Sequence, residues 1–312
     1  MTSTPTAADP RAWRADTIDQ PDSWYYSLSD SAVAALQEAI REPHQVPVTD
    51  LRASDHLRSA CASDLKPVRD ALETGRGFAV ITPDSDRFAP RDLPAVYWLL
   101  GELLGHPFEQ NVQGALLYDV RDTGQDVRYG ARFSVTNADA TFHTDNSFGD
   151  TVLDYVGLLC LNSAKAGGLS QIVSGYAVRD ELMARNRAAW DILCRPFHVD
   201  RRGGLRPGEE PTARVPVFDG QANDLLVRYL RYWIQVGHEK ADTPLTPEQI
   251  SALDTLDTVA ADPRLRVEFM LQPGEMLFEN NRWLMHNRTA FEDFLEPDRK
   301  RHYVRLWLRR DG

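Results

Sequence analysis

The sequence predicts a mainly β fold with flanking helices, closed as a sandwich or barrel. Three observations predict it. The first third reads as helical, the chain from about Leu116 onward breaks into many short segments rich in Val, Tyr, Phe and Leu bounded by Gly, Pro, Asn or Asp, and only two helical inserts interrupt those segments. With 312 residues, 42% hydrophobic and 26% charged, the chain is long enough to bury a large core, and no repeat, low-complexity tract or linker divides it. It reads as one domain spanning residues 1–312, with a flexible segment over 1–25 and a helical flank over 26–110.

The first helix begins at Ser29-Asp30-Ser31, cap residues ahead of Val33, Leu36 and Ile40 at helical spacing, and Pro43 stops it. A second runs from about Ser54 to Thr74 and ends at Gly75; a third runs from Pro90 to Leu104 and ends at Gly105. Between them Gly77-Phe78-Ala79-Val80-Ile81 is a short apolar run suited to a buried strand. Strands are expected over Ala140 to Phe148, Tyr155 to Asn162, Leu169 to Ser174, Val215 to Phe218, Val267 to Leu271, Met276 to Glu279 and His302 to Leu308. The inserted helices are Tyr176 to Leu193 and Pro247 to Ala261, the latter capped by Thr246. Arg201 to Gly220 holds four Gly and three Pro, which predicts a loop and a cover for a site.

Composition removes several classes of function. Lys and Arg number 35 against 46 Asp and Glu, a formal charge of −11, and no basic patch gathers to displace counterions from nucleic acid. The residues from Met1 to Pro21 lack the apolar core of a secretory signal, and no run approaches the length of a membrane span, so a cytoplasmic, soluble protein is expected. Cys61, Cys160 and Cys194 are dispersed and odd in number, which fits reduced thiols. Homo-oligomerisation is left open.

Eight histidines occur, and two of them open a His-x-Asp triplet, His143-Thr144-Asp145 and His198-Val199-Asp200. Residues i and i+2 of a strand share a face, so either triplet offers an imidazole and a carboxylate to one metal. The composition alone would produce about 1.2 triplets of the His-x-Asp/Glu kind, so context must separate the two. A facial site of two histidines and one carboxylate needs a distant second His, and a 2-oxo-acid cosubstrate needs a cation for its far carboxylate. His286, followed by Arg299, Arg301 and Arg305, supplies both; His198-x-Asp200 runs directly into Arg201-Arg202-Gly203-Gly204, which reads as a solvated turn.

The set Phe142-His143-Thr144-Asp145, Gly167-Gly168-Leu169-Ser170, Pro273-Gly274-Glu275 and the closing run His286-Asn287-Arg288-Thr289 to Arg301-His302-Tyr303-Val304-Arg305-Leu306-Trp307 resembles the TauD/TfdA-type Fe(II)/2-oxoglutarate-dependent dioxygenases over most of the chain. The resemblance implies a double-stranded β-helix, or jelly roll, with flanking helices. It implies Fe(II) as metal and 2-oxoglutarate as cosubstrate, with His143, Asp145 and His286 as metal ligands. It implies also that Arg305 pairs with the C5 carboxylate of 2-oxoglutarate beside the Ser170 hydroxyl, with Arg301 the lesser candidate for that role.

Because related halogenases lose the carboxylate to open a halide position, Asp145 implies oxidation of a C–H bond, typically hydroxylation, coupled to conversion of 2-oxoglutarate and dioxygen to succinate and carbon dioxide. Gln110, Asn111, Asn137, Asn146, Arg228, Tyr229, Arg231 and Tyr232 are candidate pocket groups, and the two arginines among them suit a small amino-acid-like or carboxylate substrate. Two alternatives use the same ligands: a zinc-dependent hydrolase, which leaves Arg305 and Gly167-Gly168-x-Ser170 without a purpose, and a non-catalytic metal-binding sensor.

Overall fold

A computed structural model describes residues 9–41, 46–83, 86–125, 132–202, 208–220 and 224–310. The first part is β1 (Tyr25–Ser27), α1 (Asp30–Ala39), α2 (Asp55–Glu73), β2 (Phe78–Thr82), α3 (Leu93–Leu104), β3 (His106–Phe108) and β4 (Leu117–Val120). Next come β5 (Tyr155–Asn162), β6 (Ala166–Gly167), β7 (Ser170–Ser174), α4 (Gly175–Arg185), α5 (Arg187–Leu193), β8 (Pro196–Asp200), β9 (Thr212–Pro216), β10 (Phe218–Asp219) and β11 (Leu226–Val227). The chain closes with α6 (Arg231–Lys240), α7 (Pro247–Ala260), β12 (Arg266–Phe269), β13 (Met276–Asn280), β14 (Leu284–Arg288), β15 (Phe291–Glu292) and β16 (His302–Arg309).

Two sheets organise these strands. The larger runs β1-β2-β13-β5-β16-β3, with β4 also paired to β16, and the smaller runs β12-β7-β14. The large sheet separates two apolar layers, which is why its central strands read as nearly continuous apolar runs. One face, including Ala79, Ile81, Met276, Phe278, Leu306 and Leu308, packs on α1, α2 and α3. The opposite face, including Phe78, Val80, Leu277 and Tyr303, packs toward Ile172, Val173, Leu284 and Met285 of the small sheet, whose far side α4, α5 and α7 cover. A Cβ on Gly101 of α3 would stand 2.3 Å from Leu306 Cδ2, so glycine lets the helix approach β16 closely.

Caps fall where the side-chain chemistry put them. Ser29 accepts from Ala32 N, Ser54 from Leu57 N, and Thr246 with Gln249 forms a reciprocal capping box. Pro43 lies outside the described residues. Several expectations change. Tyr176 to Leu193 is two helices, because Asn186 leaves helical geometry (φ −151°, ψ 77°) and its side chain caps Ala189 N of α5. α6 was not anticipated. The flexible N-terminal reading gives way from Trp13 on, since Trp13 and Trp24 are buried edge-on to Phe78 and Trp13 Nε1 donates to Arg76 O at 2.7 Å. The expected loop 201–220 contains β9, paired along its length with β8; residues 203–207 of it lie outside the described residues.

Candidate active site

Ala140 to Phe148 is not the strand that was expected. Thr141 (φ +58°) and Asn146 (φ +53°) turn the chain into the left-handed region, and the segment touches sheet only at His143. There His143 N donates to His286 O at 3.0 Å and His286 N to His143 O at 2.9 Å, placing the segment on the free edge of β14. The turns are held from the side: Thr141 N donates to Asp139 Oδ1 (2.9 Å), Thr144 N to Tyr229 O (2.8 Å) and Asp145 N to Asn281 Oδ1 (2.8 Å), while Asn281 Nδ2 returns a bond to Asp145 O (3.0 Å).

That backbone brings His143, Asp145 and His286 together, with one ligand atom from each within 4.8 Å of the others. His143 Nε2 stands 3.7 Å from Asp145 Oδ1, and the two imidazole centroids are 4.5 Å apart. His143 Nδ1 lies 2.8 Å from Thr141 O; a carbonyl only accepts, so Nδ1 carries the proton and Nε2 keeps a lone pair for a metal. His286 Nδ1 lies 3.1 Å from Glu279 Oε2, both atoms buried, which orients that ring in the same sense.

Electrostatics favour this pattern at His143 and Asp145. Burial, reinforced by His286, pushes the His143 imidazole down to about 4, so it is neutral near pH 7. Burial alone would raise the Asp145 carboxyl, but Arg305, the imidazoles and the Trp307 N–H outweigh it and hold the group at about 2. Burial opposes charging of His286 and Glu279 overcomes it, raising that pKa. Two imidazoles and a carboxylate presenting lone pairs inward suit Fe(II), which takes a facial set of this composition and leaves positions for cosubstrate and dioxygen.

The triad lines a cavity of about 150 Å³ between the sheets, together with Ser170, Arg301 and Arg305. Gly167 (φ +70°) and Gly168 (φ +72°) turn β6 into β7, and a Cβ on Gly167 would stand 2.2 Å from Ala290 O; this turn delivers Ser170 to the wall. The two arginines of the closing strand differ. Arg305 is occupied: its Nη1 lies 3.1 Å from Asp145 Oδ2 and its Nε donates to Gln110 Oε1 at 2.8 Å. Arg301, 3% exposed, stacks 3.8 Å over the Tyr303 ring and keeps Nε and Nη1 buried without hydrogen-bond partners.

The chain matches the family described as taurine catabolism dioxygenase TauD, TfdA family over residues 48–307. It belongs to the TauD/TfdA family. This member is an Fe(II)/2-oxoglutarate-dependent dioxygenase, and the zinc-hydrolase and sensor alternatives give way. It is 26% identical over 304 residues to FR-33289 synthase of Streptomyces rubellomurinus, covering 95% of this chain and 88% of that one. It is 33% identical over 194 residues to a uridine-5'-phosphate dioxygenase of an Amycolatopsis species, covering 60% and 66%. Asparagine oxygenase, solved with Fe(II), 3-hydroxyasparagine and succinate, shares the fold with a TM-score of 0.66 at 19% identity over 91% of this chain and 93% of that one. The oxygenase OrfP, solved with iron and α-ketoglutaric acid, does so with a TM-score of 0.64 at 20% identity over 92% and 94%. Among the described residues no helix of this dioxygenase is long and apolar enough to cross a membrane.

Other candidates fall elsewhere. His198 and Asp200 sit on β8 outside the cavity wall. Of the substrate candidates, Gln110 and Asn146 reach the cavity. Arg228 donates to Gly149 O at 2.7 Å, Arg231 pairs with Asp254 and Asp257 at 2.7 and 3.0 Å, and Tyr229 donates to Asp257. Those arginines therefore serve the acidic face of α7 and a loop carbonyl, and the carboxylate-substrate reading loses its footing in them. Sequence reasoning missed Glu279, Trp307 and Asn281. Glu279 left a signal, a charge directly after the apolar run Met276-Leu277-Phe278 in a buried strand.

Proposed function

We propose that this dioxygenase holds Fe(II) through His143 Nε2, His286 Nε2 and the Asp145 carboxylate, and grips the C5 carboxylate of 2-oxoglutarate with Arg301, helped by Ser170, to oxidise a small anionic metabolite. The observation that carries it is the meeting, in one buried cavity, of three convergent ligands with an arginine whose Nε and Nη1 lack partners. An unpaired buried guanidinium is costly, and a carboxylate reaching it through a bidentate pair removes that cost. Arg305, the expected anchor, is thereby reassigned, because Asp145 and Gln110 already engage its Nη1 and Nε.

When bound, Fe(II) and 2-oxoglutarate supply the oxidising chemistry, consuming dioxygen and releasing succinate and carbon dioxide. The chain's own residues prepare for it. Thr141 O and Glu279 fix the imidazole tautomers, Trp307 Nε1 donates to Asp145 Oδ2 at 2.8 Å and orients the carboxylate, and the apolar walls at Val156 and Leu158 exclude water. The two sheets form a double-stranded β-helix, and the chain acts as one domain. The uridine-5'-phosphate dioxygenases among the relatives carry an anionic substrate in their name, in keeping with the arginines of this cavity.

Anaerobic loading with Fe(II) and 2-oxoglutarate tests the assignment. A weak visible charge-transfer band, and succinate release on admitting oxygen, are expected from the wild type. Arg301→Ala raises the 2-oxoglutarate concentration required by roughly 10- to 100-fold, and Arg305→Ala does less. The reverse ranking restores Arg305 as the anchor.

A further inference from the structure

The three metal ligands stand on one side of the cavity, His286 on β14 and His143 with Asp145 on the segment along its edge. The side chains that touch the Asp145 carboxylate come from the facing sheet. Trp307 and Arg305 are two residues apart on β16, so they share a face of that strand, and the Arg305 guanidinium lies 4.9 Å over the Trp307 ring. They treat the two carboxylate oxygens differently. Buried Trp307 donates through Nε1 to Oδ2 at 2.8 Å, whereas Oδ1 stands 3.7 Å from His143 Nε2, toward the other ligands.

Arg305 Nη1 lies 3.1 Å from Oδ2 and 3.4 Å from Oδ1. Distances so nearly equal put it close to the plane that bisects the carboxylate, and a metal held by both oxygens must lie on that plane as well. The guanidinium is braced there. Its Nε donates to Gln110 Oε1 at 2.8 Å, while Gln110 Nε2 donates to Arg305 O and to Leu116 O, each at 2.9 Å. The ring of Tyr118, the residue opposite Arg305 on β4, stands 5.3 Å from the guanidinium. A planar fork can meet Gln110 along one edge and a carboxylate along another; a lysine could not do both.

We infer that Arg305 and Trp307 are positioning residues that restrict Asp145 to a single metal bond, through Oδ1. The inference rests on the metal-site reading above and gives a purpose to an arginine that the cosubstrate assignment left without one. Carboxylates bind metal ions through one oxygen or two. The choice matters here, because a second oxygen would take one of the positions that a facial set leaves to cosubstrate and dioxygen. Trp307 commits Oδ2 to a hydrogen bond, and Arg305 holds a cation that competes for the place of the second metal–oxygen bond. Outer partners of this kind fix how a ligand presents itself; here the facing sheet supplies them, as it supplies Glu279 for His286.

Infrared difference spectra of Co(II)-loaded against metal-free protein, with aspartate isotopically labelled at its side-chain carboxyl, test the assignment. One-oxygen coordination separates the asymmetric and symmetric carboxylate stretches widely, and two-oxygen coordination narrows the separation. The wild type shows the wide one. Trp307→Phe, which deletes the N–H, and Arg305→Met, which deletes the charge, both narrow it. In each, Co(II) affinity stays within about threefold of wild type because the freed oxygen joins the metal, while anaerobic 2-oxoglutarate affinity falls roughly three- to tenfold. Trp307→Phe changes no charge and little volume, so it carries the test even if Arg305→Met does not fold. Variants that lose Co(II) affinity and melting midpoint together with the separation unchanged, or a wild type whose separation is already narrow, overturn the assignment. A wild type that takes up no Co(II) strikes the metal-site reading, whereas Co(II) uptake with Trp307→Phe indistinguishable from wild type overturns this inference alone.

Discussion

The two His-x-Asp triplets are the same three-residue pattern in opposite settings. His198-Val199-Asp200 lies on a regular strand, paired residue for residue with β9, and the protein answers the His198 Nδ1 and one oxygen of Asp200 from its own groups. His198 Nδ1 meets Thr212 Oγ1 at 3.1 Å, its backbone N donates to His238 Nε2 at 3.2 Å, and Asp200 takes Lys240 Nζ at 2.7 Å and Arg202 N at 3.1 Å. His143-Thr144-Asp145 lies between two residues of positive φ, and the protein answers only the outer atom of its His143 ring. Nε2 instead turns toward His286 in a cavity, and the Asp145 carboxylate, held by Trp307 Nε1 and Arg305 Nη1, turns toward the same point. A pattern becomes a site through what is left for a ligand, and here the less regular backbone leaves more.

Exchanging the two triplets' histidines for alanine gives the largest contrast. His143→Ala removes a metal ligand and lowers iron- and 2-oxoglutarate-dependent succinate release by more than about 1000-fold, with iron content after desalting falling in parallel. His198→Ala leaves both readouts near wild type and costs about 1 kcal/mol in a denaturant melt. Equal iron loss from the two variants would abolish the distinction.

Glu279→Gln sharpens the same comparison. The charged partner of His286 becomes neutral at nearly constant shape, so the imidazole is less firmly oriented and less basic. A fall of roughly 10- to 100-fold in metal affinity is expected, read as Co(II) binding by its visible spectrum. Glu279→Ala should fall further, and unchanged Co(II) affinity in both would reduce Glu279 to a core carboxylate.

Much of this contrast was written in the sequence, and the part that was not has a physical cause. His286 with its trailing arginines chose between the triplets because a second ligand and a cation are chemical requirements, visible without coordinates. The strands Tyr155 to Asn162 and His302 to Leu308 were legible because strands covered on both faces are apolar at almost every position. The same-face argument reached the triplet that the structure gathers with His286 through an incorrect backbone, since no residue in Ala140 to Phe148 announces that Thr141 and Asn146, neither a glycine, turn left-handed. Choosing between Arg301 and Arg305 lay beyond sequence as well. The strand shifts register between His302 and Tyr303, and only the neighbours Asp145 and Gln110 decide which guanidinium is already engaged.

Asp200→Asn is expected to have a smaller effect, and on stability alone. Asp200 is fully buried and holds Lys240, which is 44% exposed in its side chain, so the pair is partly screened and its loss costs about 1–3 kcal/mol. Iron content stays at the wild-type level, because Asp200 is outside the metal cluster. A variant that keeps its melting midpoint but loses iron would show that the two triplets communicate.

The smallest effect belongs to Thr212→Val. The hydroxyl it removes meets His198 Nδ1 at 3.1 Å, on a ring that is itself partly exposed. Water can take over that nitrogen, so the cost is about 0.5–1.5 kcal/mol, and valine's strand preference on β9 offsets part of it. The corresponding contact of the other triplet, His143 Nδ1 to Thr141 O at 2.8 Å, uses a backbone carbonyl that no substitution deletes. If Thr212→Val lowers the denaturant midpoint by no more than this while Co(II) affinity is unchanged, the hydroxyl stabilises a strand and nothing else. A change in Co(II) affinity would mean that β8 and β9 help hold the metal cavity in shape, and the separation of the two triplets would fail at its weakest contact.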